Sequence, residues 1–202
     1  MAGLIGVFGG TFDPPHIGHL ILASEAKAQL GLDRVLWVLT TNPPHKQGQR
    51  VLPIESRIAL LQAAICENSF FDLSSVDIDR PPPHYSADTL VLLSKEYPKN
   101  KLVYLIGGDS LRDLPTWHTP AQVLQNCHYL GVMPRPGVEI NLPRLEVLLP
   151  GITSKVRIIN IPLIDISSSE IRRRVKEGLP FQYYLPTEVY KQIIKLNLYQ
   201  DL

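Results

Sequence analysis

Short apolar runs, each closed by turn residues and followed by a helical stretch, recur along the chain, and this alternation limits its fold most. The first run, Leu4 to Phe8, is bounded by glycines, the profile of a buried parallel strand. Leu20, Ile21, Leu22, Ala23, Ala26, Ala28 and Leu30 then form an apolar-rich helix that Gly31 stops. Further strands are expected at Arg34 to Thr40, Phe70 to Val76, Leu102 to Ile106, His128 to Met133 and Val156 to Ile161. Helices are expected at Leu52 to Cys66, with Ile54, Ile58, Leu61 and Ile65 on one face, and at about Ser86 to Glu96. Two more are expected at Ser167 to Glu177 and Pro186 to Leu196. Pro115 interrupts a helical region that Pro120 restarts, and Arg135 to about Gly151 reads as a lid or a small helix.

This pattern predicts an α/β fold: a doubly wound parallel sheet with helices on both faces, Rossmann-like in architecture. Right-handed crossovers place the strand-to-helix loops along one sheet edge, so those after strands one, two, four and six converge on one cleft. At 202 residues the chain suits one well-filled domain, with the helical part from about 165 to 202 packed on it. A formal net charge of +1 without a long basic run gives no call for nucleic acid. Cys66 and Cys127 lie in apolar segments, form no close motif and read as reduced core residues, which points to the cytoplasm. No stretch is long and apolar enough for a membrane span or a leader.

The stretch Gly9-Gly10-Thr11-Phe12-Asp13-Pro14-Pro15-His16-Ile17-Gly18-His19 joins the first strand to the first helix. Gly9 and Gly10 remove side chains where backbone can approach a ligand, and their N–H groups can face an anion. His16 and His19, three apart where the helix opens, can share one face beside the positive end of the helix dipole. That suits a phosphate chain. The stretch lacks the lysine of a Walker loop and the third glycine of a dinucleotide fingerprint. Zinc binding by the histidine pair finds no further His/Cys cluster at ligand spacing.

Other stretches carry chemistry. His45 and Lys46, in a loop stiffened by Pro43 and Pro44, can both donate to phosphate, although a lone loop lysine is ordinarily solvated. Ser167 and Glu170 have capping-box spacing, and Ser168, Ser169 and Arg172 add hydroxyls and a guanidinium, a second anion site. Gly107-Gly108-Asp109 closes the fourth strand with a carboxylate that either caps a helix or accepts from sugar hydroxyls. Trp117 is either core or a platform for a ring, and Arg135 is a further phosphate candidate.

GGTFDPPHIGHL resembles the first signature of the HIGH-type nucleotidyltransferase superfamily, and its GGTFDP opening is similar to that of nicotinate mononucleotide adenylyltransferases. NPPHK resembles the family's second signature, and Ile166 to Arg172 its Ile-Ser-Ser-Thr-x-x-Arg pattern with Ser169 where threonine is usual. Asp109 to Trp117 resembles Gly-x-Asp…Leu-x-x-Trp, and His84 to Thr89 resembles Ser-Tyr-Thr-x-x-Thr, with His84 and Ser86 departing from it. The resemblance implies adenylyl transfer from ATP to nicotinate mononucleotide, giving nicotinate adenine dinucleotide and pyrophosphate in NAD biosynthesis. It puts catalysis on His16, His19, Lys46 and Arg172. ATP is implied to lie on Gly9, Gly10, Thr11, Phe12, His16, His19, Gly107, Asp109, Ser168, Ser169 and Arg172. The acceptor is implied to lie on His45, Lys46, Tyr85, Ser86, Trp117 and Arg135. With Ser86 capping its helix, free N–H groups there would receive the nicotinate carboxylate.

Mg²⁺ is implied to be carried with ATP, the partners are small molecules, and a homo-oligomer is left open. A sibling using another acceptor or a cytidylyl donor would share His16 and His19 but not Trp117 and the Tyr85-Ser86 segment. An aminoacyl-tRNA-synthetase-like enzyme would need room for a tRNA-binding domain. A non-catalytic nucleotide sensor is the different-class alternative.

Overall fold

Val35, Trp37 and Leu39 face one side of a central sheet, Leu36 and Val38 the other, and all five are buried. Residues of a strand point alternately to its two faces, so a run apolar at every position must be covered twice. The computed structural model describes residues 2–41, 51–134, 137–162 and 164–200. Its strands are β1 (Leu4–Gly10), β2 (Arg34–Leu39), β3 (Phe71–Ser74), β4 (Lys101–Gly107), β5 (Tyr129–Met133) and β6 (Val156–Ile158). They pair in parallel in the order β3-β2-β1-β4-β5-β6.

One face of the sheet is covered by α1 (Ile17–Leu30), α2 (Ile54–Ile65), α8 (Ser168–Lys176) and α9 (Thr187–Lys195), through Leu22, Leu60, Ile171 and Val189 among others. The other face carries α3 (Ser86–Glu96), α4 (Gly108–Asp113), α5 (Pro120–Asn126), α6 (Leu142–Leu148) and α7 (Ile152–Lys155). Gly31 ends α1 at φ 64°, in the left-handed region where a side chain is disfavoured. From β1 the chain winds outward to β3, then returns to lay β4 on the other side of β1. The crevice at the carboxyl ends of β1 and β4 is therefore the switch point where such sheets bind ligands.

Several local expectations need correction. β3 ends at Ser74 rather than Val76, because Ser75 accepts from Ile78 and Asp79 in a tight turn. β6 stops at Ile158, where its pairing with β5 runs out. Of the lid and the small helix expected before Gly151, the small helix is present as α6, capped by Asn141, whose side chain accepts from the Arg144 N–H at 2.9 Å. Ile54, Ile58, Leu61 and Ile65 of α2 do pack on the core, but Arg57 is buried beside them, a charge that the apolar pattern did not predict. Cys127 is buried as expected, but Cys66, just past the end of α2, is exposed. No helix among the described residues is long and apolar enough to cross a membrane.

Candidate active site

β1 runs out at Gly10, and a turn through Thr11 to Pro15 delivers the chain to His16, the N-cap residue of α1. The His16 carbonyl accepts from the His19 N–H at 2.9 Å, while the His16 N–H donates to His19 Nδ1 at 3.1 Å. The two imidazoles stack, with centroids 3.6 Å apart and planes 27° apart. Because Nδ1 accepts, the neutral His19 ring carries its proton on Nε2, which makes that atom a donor. Phe12, at 5.1 Å, and Phe8, at 5.9 Å, pack against the same ring and fix its direction.

The two glycines differ in purpose. A side chain at Gly10 would begin 2.8 Å from the Phe12 ring, which is buried against Phe8 and Trp37. Gly10 is thus required by the protein's own packing, a reason beyond the close approach of a ligand. At Gly9 a Cβ would meet only the Tyr104 hydroxyl, at 3.7 Å. The space there belongs to the cleft.

A cavity of about 660 Å³ opens at this point. Gly9, Gly10, Thr11, Phe12, His16, His19, Gly107, Asp109, Trp117, Ser168 and Arg172 all line it. The histidine turn and the start of the serine-rich helix therefore face one space. They also touch: Arg172 Nη1 donates to the Asp13 carbonyl at 2.7 Å, and the Ser168 hydroxyl donates to the Pro14 carbonyl at 2.9 Å. Ser168 thus spends its proton on the protein. Ser169 lies off the cavity wall, its hydroxyl 3.1 Å from that of Ser167.

Ser167 caps α8 by accepting from the Glu170 N–H at 3.2 Å, but the reciprocal half of the expected box is replaced. The Glu170 carboxylate instead takes Arg173 at 2.8 Å and Arg174 at 2.8 Å. Arg173 above all, and then Arg174, hold its carboxyl down at about 2.

Tyr85, not Ser86, is the N-cap residue of α3, and neither lies on the cavity wall. The Ser86 oxygen accepts from the Tyr104 hydroxyl at 2.8 Å, and burial pushes the Tyr104 phenol up to about 12. Tyr104 lines the cavity beside Trp117, their rings edge to face at 6.4 Å, so the start of α3 stands directly behind this wall. Tyr85 stacks on His118 at 4.1 Å. His84, which departs from the pattern it resembles, is buried, its Nδ1 3.0 Å from the Thr41 hydroxyl. His45, Lys46 and Arg135 lie outside the described residues.

Two buried side chains with polar partners, Arg57 and Tyr199, escaped the sequence. Arg57 donates to the carbonyls of Leu52, Thr11, Thr40 and Thr41 at 3.1, 3.2, 2.8 and 2.9 Å, tying the exit of β2 to the histidine turn. Burial pulls its guanidinium below the ordinary arginine value, with nearby Asp13 opposing the shift. Asp13 itself is 1% exposed and accepts from the Tyr199 hydroxyl at 2.7 Å and the Leu52 N–H at 3.3 Å. Arg57 did leave a trace, a charge one turn from Leu61 on an apolar stripe. Tyr199 left none.

The described residues contain no group of three or more His, Cys, Asp and Glu side chains that could hold a metal ion. The arrangement instead gathers a helix start, two imidazoles, a guanidinium and free backbone around one cavity, which suits a polyphosphate. The family model described as cytidylyltransferase-like matches residues 7–174. A probable nicotinate-nucleotide adenylyltransferase of Thermomicrobium roseum is 45% identical over 198 residues, covering 98% of this chain and 92% of the relative. One from Desulfitobacterium hafniense is 38% identical over 198 residues, covering 97% of this chain and 95% of the relative. Among solved structures, the nicotinic acid mononucleotide adenylyltransferase of Plasmodium falciparum complexed with NaAD superposes with a TM-score of 0.79. It is 20% identical, with 98% of this chain and 97% of that one covered, and it speaks for the fold. Fold, cleft and relatives agree: this chain belongs to the cytidylyltransferase-like family and, within it, to the nicotinate-nucleotide adenylyltransferases.

Proposed function

We propose that the chain transfers the adenylyl group of ATP to nicotinate mononucleotide, releasing pyrophosphate. The observation that carries this reading is that the histidine turn and the start of α8 line one cavity and are bonded to each other. A phosphate oxygen of the mononucleotide attacks the α-phosphorus of ATP. As that P–O bond forms, the bond to the bridging oxygen breaks and its electron pair leaves with pyrophosphate. The nucleophile is already an anion, so no base is required, and the barrier is the approach of two polyanions. The protein's work is alignment and neutralisation of charge.

In this reading His19 Nε2–H and His16 face the triphosphate, with Gly9 leaving room for it. One of the five Arg172 donors holds Asp13, and the others serve the leaving phosphates. The first N–H groups of α8 add to the same site. Lys46 and His45, which follow β2 in the sequence, are assigned to the phosphates of the two substrates, and Arg135 to a further phosphate. Mg²⁺ enters as part of the substrate MgATP, held by phosphate oxygens and water, as suits this ion.

Asp109 is assigned to the ribose of ATP and Trp117 to the pyridinium ring, on which an indole face can stack with a cation–π component. The carboxylate of the nicotinate is assigned to the start of α3, behind Tyr104 and Trp117. This reading places the chain in the cytoplasm, with small-molecule partners. ATP labelled at the α-phosphate tests it. Label should pass into a dinucleotide with one pyrophosphate released per transfer, and binding of both nucleotides without transfer would overturn it.

A further inference from the structure

The chain's last described turn reaches back into the first loop of the site. Tyr199 is 2% exposed, and its ring lies in the core between the sheet and the helices of the α1 face. Its hydroxyl donates to Asp13 Oδ1 at 2.7 Å across 186 residues of sequence. The backbone bends sharply to allow it: Asn197 stands at φ 48° and Tyr199 at φ 70°. A bulky aromatic residue rarely adopts the left-handed region, so surrounding contacts must hold it there. Burial of the ring would be served equally by phenylalanine. What the hydroxyl adds is the bond to Asp13.

Asp13 is placed to transmit that bond. Its other oxygen accepts from the Leu52 N–H at 3.3 Å, and its carbonyl accepts from Arg172 at 2.7 Å. Each carboxylate oxygen is thus already engaged by the protein, although the residue borders the cavity. A carboxylate buried this deeply needs such donors, and losing one forces the turn to find another. Three residues on from Asp13 the chain reaches the N-cap histidine and its stacked partner. A shift of a fraction of an ångström there moves the groups that face the triphosphate.

We propose that Tyr199 is a positioning residue of the adenylyl-transfer site, its hydroxyl holding Asp13 and, through Asp13, the turn that aims His16 and His19. The inference rests on the function proposed above. Burial, and then the Asp13 carboxylate, push the Tyr199 phenol up, so it remains a donor throughout the pH range of an assay.

The test is Tyr199→Phe in the full chain, compared with Asp13→Ala and the double variant. Well below the unfolding midpoint, kcat of Tyr199→Phe should fall about tenfold while KM for both nucleotides stays within about twofold, because positioned groups act on the transition state. In the Asp13→Ala background, which has no acceptor left for the hydroxyl, the same change should cost nothing further. Amide exchange of the ligand-free protein should quicken over residues 9–20 and stay as it was in α9. A kcat within about twofold of the parent, or losses that multiply in the double variant, overturns the inference. Should Tyr199→Phe not fold, Asp13→Ala alone must show the same split between kcat and KM. If the parent protein forms no dinucleotide, the function fails and amide exchange alone decides whether Tyr199 holds the turn.

Discussion

Arg172 donates from Nη1 to the backbone carbonyl of Asp13 at 2.7 Å, although the two are 159 residues apart in sequence. This bond and its neighbour from Ser168 to Pro14 tie together the two helix starts that border the cavity. Positive character at two separate places would bind phosphate. Positive character fixed at one place can also align two nucleotides, and alignment is what a reaction between anions requires.

His19 is the donor whose direction is most firmly set, by His16, Phe8 and Phe12. His19→Ala should lower kcat by about 10²–10³-fold, the usual worth of a donor aimed at developing charge. The unfolding midpoint should drop by no more than about 5 °C. Steady-state kinetics and a melting curve check both, and turnover like the parent's would refute the role.

Gly9 and Gly10 should separate cleanly. Gly10→Ala puts a methyl 2.8 Å from the Phe12 ring, and overpacking of this kind costs about 1–3 kcal/mol, read by urea denaturation. Gly9→Ala, whose methyl enters the cleft, should leave stability nearly unchanged while raising KM for ATP. The reverse pattern would mean that the cleft is not where the nucleotide lies.

The comparison of the two glycines shows how far the sequence could be read. The order of strands and helices, the switch point and the residues of the histidine turn are all legible, because local periodicity and short motifs carry them. The purpose of Gly10 is not, since it depends on where a side chain two residues later folds back. Asp13 and Tyr199 lie 186 residues apart, and no local pattern links them. The Ser86 hydroxyl, expected to cap a helix, is committed instead to a tyrosine on a neighbouring strand.

Arg57→Met keeps the bulk of a buried side chain and removes every donor. Carbonyls of Leu52, Thr11, Thr40 and Thr41 then lose their partner, at a cost of about 2–4 kcal/mol. Chemical denaturation measures this, and a loss below about 1 kcal/mol would show that water replaces the guanidinium.

Trp117 is half-buried against Tyr104, with part of its indole on the cavity wall. Trp117→Ala should raise KM for the pyridine mononucleotide about tenfold, the worth of a stacked cationic ring, and leave KM for ATP nearly unchanged. Equal losses for both substrates would make Trp117 a core residue.

The most direct measurement is kcat/KM with MgATP for nicotinate mononucleotide against nicotinamide mononucleotide, which differ in the charge that would meet the start of α3. The nicotinate substrate should be preferred by at least about tenfold, as expected when a site is built for a polar group that the rival lacks. Equal rates, or a preference for the amide, would contradict the account.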